Sequence, residues 1–208
     1  MTTEHPALAQ LSAALRPTLA DGPLSWLWQP LLQLLARGAP VTTSELAATT
    51  GHTTEDVHHA LAQLPDAEYD EHGHLLGYGL TQRRTPHRFT VGDQQLYTWC
   101  ALDTLIFPAL LARPATVESP CHATETPIRV QIEPDRIVNL TPKQAVVSLV
   151  TPEQCTSVRS DFCNQVHFFA SPEAAQHWLA AHPGATVFPV AEAFALGHQL
   201  IRGHLATA

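Results

Sequence analysis

Residues 97–111 read YTWCALDTLIFPALL, an apolar run that contains one thiol, Cys100, and one carboxylate, Asp103. So many apolar positions in one run predict a helix over Tyr97–Leu111 that is buried nearly all round. On a helix, a spacing of three places Cys100 and Asp103 on one face, roughly 5–6 Å apart at Cβ. Pro108 removes the hydrogen bond to the Thr104 carbonyl, so the helix should kink or stop there. A carboxylate in such surroundings must find a partner or keep a proton, because desolvation disfavours its charged form. The stretch therefore reads as an acid/base group beside a soft nucleophile, buried in whatever fold surrounds it.

Upstream, residues 23–37 (PLSWLWQPLLQLLAR) carry apolar residues at helical spacing, with Gly38 as the stop. A short helix follows over 41–48, capped by Thr42 or Thr43, and another opens at Thr53-Thr54-Glu55 and runs to Leu64. Residues 67–80 (AEYDEHGHLLGYGL) predict a hairpin turning near Gly73. Three helices and a hairpin make a winged helix-turn-helix arrangement. The candidate recognition helix, Thr54–Leu64, has no Lys or Arg and carries Glu55, Asp56, His58 and His59 instead. Phosphate contacts supply most non-specific affinity for nucleic acid, and this helix has nothing to make them with. Arg83, Arg84 and Arg88 beyond the hairpin are too few to replace them, so the module reads as a scaffold.

Downstream, 115–121 and 127–133 alternate apolar and polar residues about a turn at 122–126, which predicts a second hairpin. Further strands are expected at 137–140 and 145–150, the latter (AVVSLV) apolar enough to lie centrally. Thr151-Pro152-Glu153 starts a short helix towards Asp161, with Cys163 at its exit before a strand over 166–170. Ser171-Pro172-Glu173 starts another, ending near His182-Pro183-Gly184; a strand at 186–190 and a helix over 191–205, interrupted by Gly197 and Gly203, close the chain. The class is α+β: a winged helix-turn-helix-like module over 1–85, then a mixed or antiparallel sheet with packed helices over 86–208. The boundary falls where TQRRTPHR (81–88) is polar and proline-punctuated.

The chain has 208 residues, of which 45% are hydrophobic and only 14% charged, enough for a sizeable core. The formal charge of −8, with Lys143 the single lysine, sets it against nucleic acid and anionic membranes as partners. The N-terminus has no basic region before an apolar one, and no stretch reaches the length of a membrane span. Four cysteines (Cys100, Cys121, Cys155 and Cys163) could form two disulfides. Free thiols or metal ligands suit a reduced, cytoplasmic protein of this size better, and that is the expected location.

The run WCALDTLIFPALL, followed by Asp161-Phe162-Cys163 and then Val166-His167-Phe168-Phe169-Ala170-Ser171, resembles the paired signatures of the organomercurial (alkylmercury) lyases. The likeness runs from about Tyr97 to the C-terminus and more loosely over the N-terminal third. It implies a catalytic triad of Cys100, Asp103 and Cys163, with the same three holding the Hg(II) product. It also implies an organomercurial substrate and small thiols for turnover, with transfer of Hg(II) to a mercuric reductase and no organic cofactor. Mercury is a very soft cation and thiolates are the softest common protein ligands, so two cysteines and one acid form a minimal apparatus for breaking a carbon–mercury bond. In the same pattern Cys121 matches a structural cysteine and Cys155 matches none. Asn164 stands where some relatives have a second cysteine, which leaves the triad intact.

Each residue also has a plainer reading. Cys100 could be an ordinary core thiol, Asp103 an ion-pair or capping group, and Cys163 a turn residue. Tyr97 and Trp99 could line a pocket for the organic group or simply pack. Cys163-x-x-x-His167 has the spacing of half a zinc site, without a second half in the chain. The principal alternative function is a thiolate-based metal-sensing or mercury-sequestering protein on the winged-helix scaffold. A cysteine hydrolase is a third, and would need a histidine base beside one of the thiols.

Overall fold

The computed structural model describes residue 13, residues 24–151 and residues 157–201. From residue 24 onward the first helix, α1 (Ser25–Leu35), buries Leu27, Leu31, Leu32 and Leu35. Helices α2 (Thr43–Thr50) and α3 (Thr54–Leu61) each begin with a capping box, Thr42 with Glu45 and Thr53 with Asp56, which satisfies two otherwise orphaned N–H groups per helix. Gly51 closes α2 in the left-handed conformation (φ 71°). Strands β1 (Glu68–Tyr69) and β2 (Leu75–Tyr78) then pair as the wing, turning at Gly73 (φ 79°). This is the expected winged helix-turn-helix. Glu55, Asp56, His58 and His59 form the exposed face of α3.

The wing is also the start of the main sheet. β2 pairs with β3 (Leu80–Thr81), which pairs with β5 (Gln94–Thr98), and β4 (His87–Val91) joins β5 to β6 (Ala115–Pro120). With β7 (Pro127–Glu133) and β8 (Arg136–Thr141) the order is β1-β2-β3-β5-β4-β6-β7-β8, antiparallel throughout. A second sheet has β9 (Val146–Leu149) between β10 (Phe168–Phe169) and β11 (Thr186–Pro189), also antiparallel. The apolar AVVSLV strand is central, as its composition predicted, and every residue of β9 is buried. Helices α5 (Val158–Asp161), α6 (Pro172–Ala181) and α7 (Val190–Leu200) complete the fold around α4 (Ala101–Leu111). α4 is enclosed by α1, α7 and strands of the main sheet, so ten of its eleven residues are buried.

Several elements differ from the sequence expectation. The helix carrying the thiol starts at Ala101 rather than Tyr97, because Tyr97 and Thr98 are held in β5 by pairing with Arg88 and His87. Pro108 does not end it; the helix runs on to Leu111 and stops where Ala112 turns left-handed (φ 51°). The final helix passes through Gly197 without a break. A Cβ there would sit 2.3 Å from Ile106 Cγ2, so the glycine lets α7 lie close against α4. The strand expected over 166–170 shortens to Phe168–Phe169. Pro152 and Glu153 of the expected helix start, Cys155 and Gly203 lie outside the described residues.

Candidate functional site

The site is assembled from the start of α4 and the turn after α5. Cys100 is the N-cap of α4, in extended backbone conformation (φ −142°, ψ 171°). The Asp103 carboxylate accepts the Cys100 main-chain N–H at 3.1 Å, while the Asp103 N–H donates to the Cys100 sulfur. This is a capping box with a thiol where a hydroxyl usually stands. The spacing of three is therefore a helix-start device as well as a chemical pair. It fixes a carboxyl group against a thiol without a flexible linker.

Cys163 reaches the same place by a different route. Ser157 caps α5, its hydroxyl accepting the Ser160 N–H at 3.0 Å, and the chain then enters a single 3-10 turn, Cys163–Gln165. Ala101 N–H donates to the Val166 carbonyl at 3.1 Å, joining the first residue of α4 to the end of that turn. Ser148 on β9 pins the turn from below, its hydroxyl donating to Gln165 O (2.8 Å) and accepting His167 N–H (2.9 Å). The Sγ atoms of Cys100 and Cys163 and a carboxylate oxygen of Asp103 consequently lie within 4.8 Å of one another. Among the described residues, this is the one group of His, Cys, Asp and Glu with spacing to hold a metal ion. Cys100, Cys121 and Cys163 stand outside any disulfide.

Burial governs the electrostatics. It raises Asp103 from 3.8 to about 7, although hydrogen bonds from the Cys100 thiol and main chain pull in the opposite direction. Burial also lifts the Cys100 thiol well above its usual value, helped by its hydrogen bond with Cys163 and the nearby Asp103 charge. A neutral thiol thus lies beside a carboxyl group that is close to half-protonated at neutral pH. That carboxyl can both accept and donate a proton, whereas an ordinary aspartate would be a weak base only.

The remaining candidates lie elsewhere. Cys121 opens the turn between β6 and β7, and its sulfur accepts the Ala170 N–H at 3.2 Å, tying the turn to the end of β10. Burial would raise this thiol, but donors from Thr124, Ala170 and Ala123 outweigh it and hold it below the usual value. His167 is stacked flat on His122 (3.8 Å between centroids, 6° between planes), in an aromatic cluster with Phe169 and Trp178 rather than in a zinc site with Cys163. Tyr97 lines a cleft of about 300 Å³ with Arg88, Glu118 and Arg129, a cleft that includes none of the three clustered residues. Trp99 is buried, its indole N–H donating to Glu68 at 3.1 Å. Sequence reasoning missed Ser148 and Glu68. A hydroxyl in the otherwise apolar AVVSLV was the available signal for Ser148, since a buried hydroxyl needs partners; nothing in AEYDEH distinguishes Glu68.

Two buried thiols and a titrating carboxyl group, on an α+β frame with a winged-helix module, make a donor set of the kind that suits a soft metal ion. A profile described as alkylmercury lyase matches residues 80–202, and one described as the helix-turn-helix domain of alkylmercury lyase matches residues 7–79. The chain is 61% identical over 175 residues to the alkylmercury lyase of Streptomyces lividans, covering 84% of this chain and 81% of that protein. It is 52% identical over 196 residues to the alkylmercury lyase of Staphylococcus epidermidis, covering 93% and 91%. The fold matches the crystal structure of the mercury-bound form of MerB2 with a TM-score of 0.77 at 26% identity, over 94% of this chain and 99% of that one. The chain belongs to the alkylmercury lyase family, and it is a lyase that acts on organomercurials. No helix among the described residues is long and apolar enough to cross a membrane.

Proposed function

We propose that this enzyme cleaves the carbon–mercury bond by protonolysis, with Cys100 and Cys163 as mercury ligands and Asp103 as the proton relay. The observation that carries the reading is the convergence of two buried sulfurs and one carboxylate within 4.8 Å. One thiol displaces the ligand on R–Hg–X, forming a sulfur–mercury bond and releasing X with a proton. The second thiol gives its proton to ionised Asp103 as its sulfur bonds to mercury. Two thiolate donors raise electron density on the carbon, and Asp103 returns its proton there as the C–Hg electron pair becomes the new C–H bond. The products are R–H and Hg(II) held by Cys100 and Cys163, from two thiols and one R–Hg⁺, with one net proton released.

On this reading no organic cofactor takes part. Small thiols remove the Hg(II) by exchange, and a mercuric reductase is the consumer that chemistry calls for. The acidic, exposed face of α3 supports a scaffolding role for the 1–85 module without nucleic-acid binding, and the 86–208 domain carries the chemistry. A reduced, cytoplasmic setting suits free thiols.

The test is hydrocarbon release. Reduced protein is incubated with phenylmercury or methylmercury and excess small thiol, and headspace benzene or methane is followed by gas chromatography. The parent turns over, and Cys100→Ala, Asp103→Ala and Cys163→Ala each lose turnover. Release that survives Cys163→Ala would refute the pairing of the two thiols. Stoichiometric Hg(II) binding without release would make the protein a sequestering one.

A further inference from the structure

One carboxylate outside the triad touches both segments that carry the cysteines. Glu68, on the wing strand β1, is buried to 7% exposure. It accepts the indole N–H of Trp99, the residue before Cys100, at 3.1 Å. It also accepts from the Arg159 guanidinium on α5, one helical turn before Cys163. The Thr81 hydroxyl donates to it, and Arg83 lies 3.8 Å away. The Arg159 guanidinium carbon in turn lies 4.8 Å from the Trp99 ring centroid, so the two partners of Glu68 also contact each other. Asp66, two residues earlier, accepts the Ser157 hydroxyl at 2.7 Å and the Arg159 N–H at 3.2 Å, which anchors the first turn of α5.

The geometry points to a positioning role: Glu68 of the winged-helix module, through Arg159 and Trp99, sets the separation of the Cys100 and Cys163 sulfurs. This rests on the proposed two-thiol site. Burying a carboxylate is costly unless it is well paired, and a mere surface tie between module and domain needs no buried charge. Here the Glu68 carboxylate is enclosed, while the Arg159 side chain is 36% exposed, at the point where the segments leading into Cys100 and Cys163 meet. α5 has only four residues and the 3-10 turn only three, too short to hold a register by their own hydrogen bonds. The register comes instead from Ser148 on one side and from Asp66 and Glu68 on the other. On this account the winged-helix module braces the two segments that carry the cysteines, which gives it work to do that needs no basic recognition helix.

The experiment compares the parent with Glu68→Gln, Arg159→Met, Arg159→Lys and the Glu68→Gln/Arg159→Met double variant, each shown to be folded by circular dichroism at the assay temperature. Two readouts are taken: turnover of phenylmercury, and the ultraviolet sulfur-to-mercury charge-transfer absorbance per equivalent of Hg(II) added to the reduced protein. Misplacing a reacting group by an ångström can lower a rate by about 10²-fold. Glu68→Gln and Arg159→Met are expected to lower kcat by about 10- to 100-fold with KM changed less than about threefold. Both should move the charge-transfer signature towards that of Cys163→Ala. Arg159→Lys should recover part of both, and the double variant should be no worse than the poorer single one, because both act through one contact. Folded variants with parental kcat and parental absorbance would overturn the inference, as would equal losses in Arg159→Lys and Arg159→Met. If Glu68→Gln does not fold, the two Arg159 variants decide alone. A parent that binds Hg(II) with a dithiolate signature but releases no hydrocarbon refutes the lyase mechanism, and the absorbance series still tests the positioning.

Discussion

Asp103→Asn separates the stability of the site from its chemistry. The asparagine amide oxygen can still accept the Cys100 N–H, so the helix cap is kept, while the titrating group is lost. Burial holds the parental carboxyl at about 7, above its unfolded value of 3.8. Between those values the folded protein keeps a proton that the unfolded chain has released. The contribution to stability is therefore fully present below pH 3.8 and is lost as pH rises through about 7. Moving a carboxyl from 3.8 to about 7 corresponds to about 4 kcal/mol, an upper bound because Asp103 retains some contact with solvent. Urea unfolding of parent and Asp103→Asn, both reduced, at intervals from pH 4.5 to 8 measures it. Histidine contributions are common to both proteins and cancel in the difference. The variant should gain about 2–4 kcal/mol on the parent across that range, nearly all of it below about pH 7.5. Its turnover should fall by at least about 10²-fold, since an amide cannot relay a proton. A stability difference that stays flat with pH would refute the raised carboxyl. Normal turnover would refute the relay.

Two further outcomes follow from packing and from the histidines. In Gly197→Ala the new methyl meets Ile106 Cγ2 at 2.3 Å and Leu102 Cδ1 at 3.3 Å, so α7 must move off α4; urea unfolding should show a loss of about 1–3 kcal/mol. His167 is lowered from 6.5 to about 4, mainly by burial, so the parent loses stability as pH falls from 6.5 through about 4. His167→Phe keeps an aromatic ring against His122 and Trp178 and, with solvent screening of the part-exposed ring, should remove about 1–2 kcal/mol of that acid dependence. An acid unfolding profile with unchanged slope would count against it.

The parts of this fold that were legible in the sequence are those specified locally. Thr42 with Glu45, Thr53 with Asp56, and Ser171 before Pro172 each mark a helix start, and each helix begins there. The apolar stretch of α4 was legible as buried, but its first residues were not, because the pairing of Tyr97 and Thr98 with β4 is a tertiary fact that overrides helical spacing. Pro108 misled for a similar reason: packing on all sides carries the helix past a missing hydrogen bond. The pairing of Cys100 with Asp103 needed only three residues of sequence. Its pairing with Cys163 depends on Ala101 meeting Val166 and on Ser148 holding the turn, contacts between segments that no local pattern encodes. Only the family likeness brought Cys163 into view.

The electrostatics bear on why such a site would carry its thiols in this state. A thiolate ready at rest would be the better nucleophile, and it would also be open to oxidation and to any soft electrophile. Burial keeps Cys100 protonated, which forgoes that reactivity. A soft cation removes the penalty itself, because a coordinating thiol is deprotonated outright. The proton released at that moment needs an acceptor, and Asp103 at about 7 is ionised often enough to take it. An aspartate at 3.8 would hold the proton too weakly to pass it to carbon, and a carboxyl far above 7 would already be protonated. On the proposed mechanism, therefore, the same burial that silences the thiol also tunes the acid. The substrate metal switches both on, so selectivity for mercury and protonation of carbon have one physical origin.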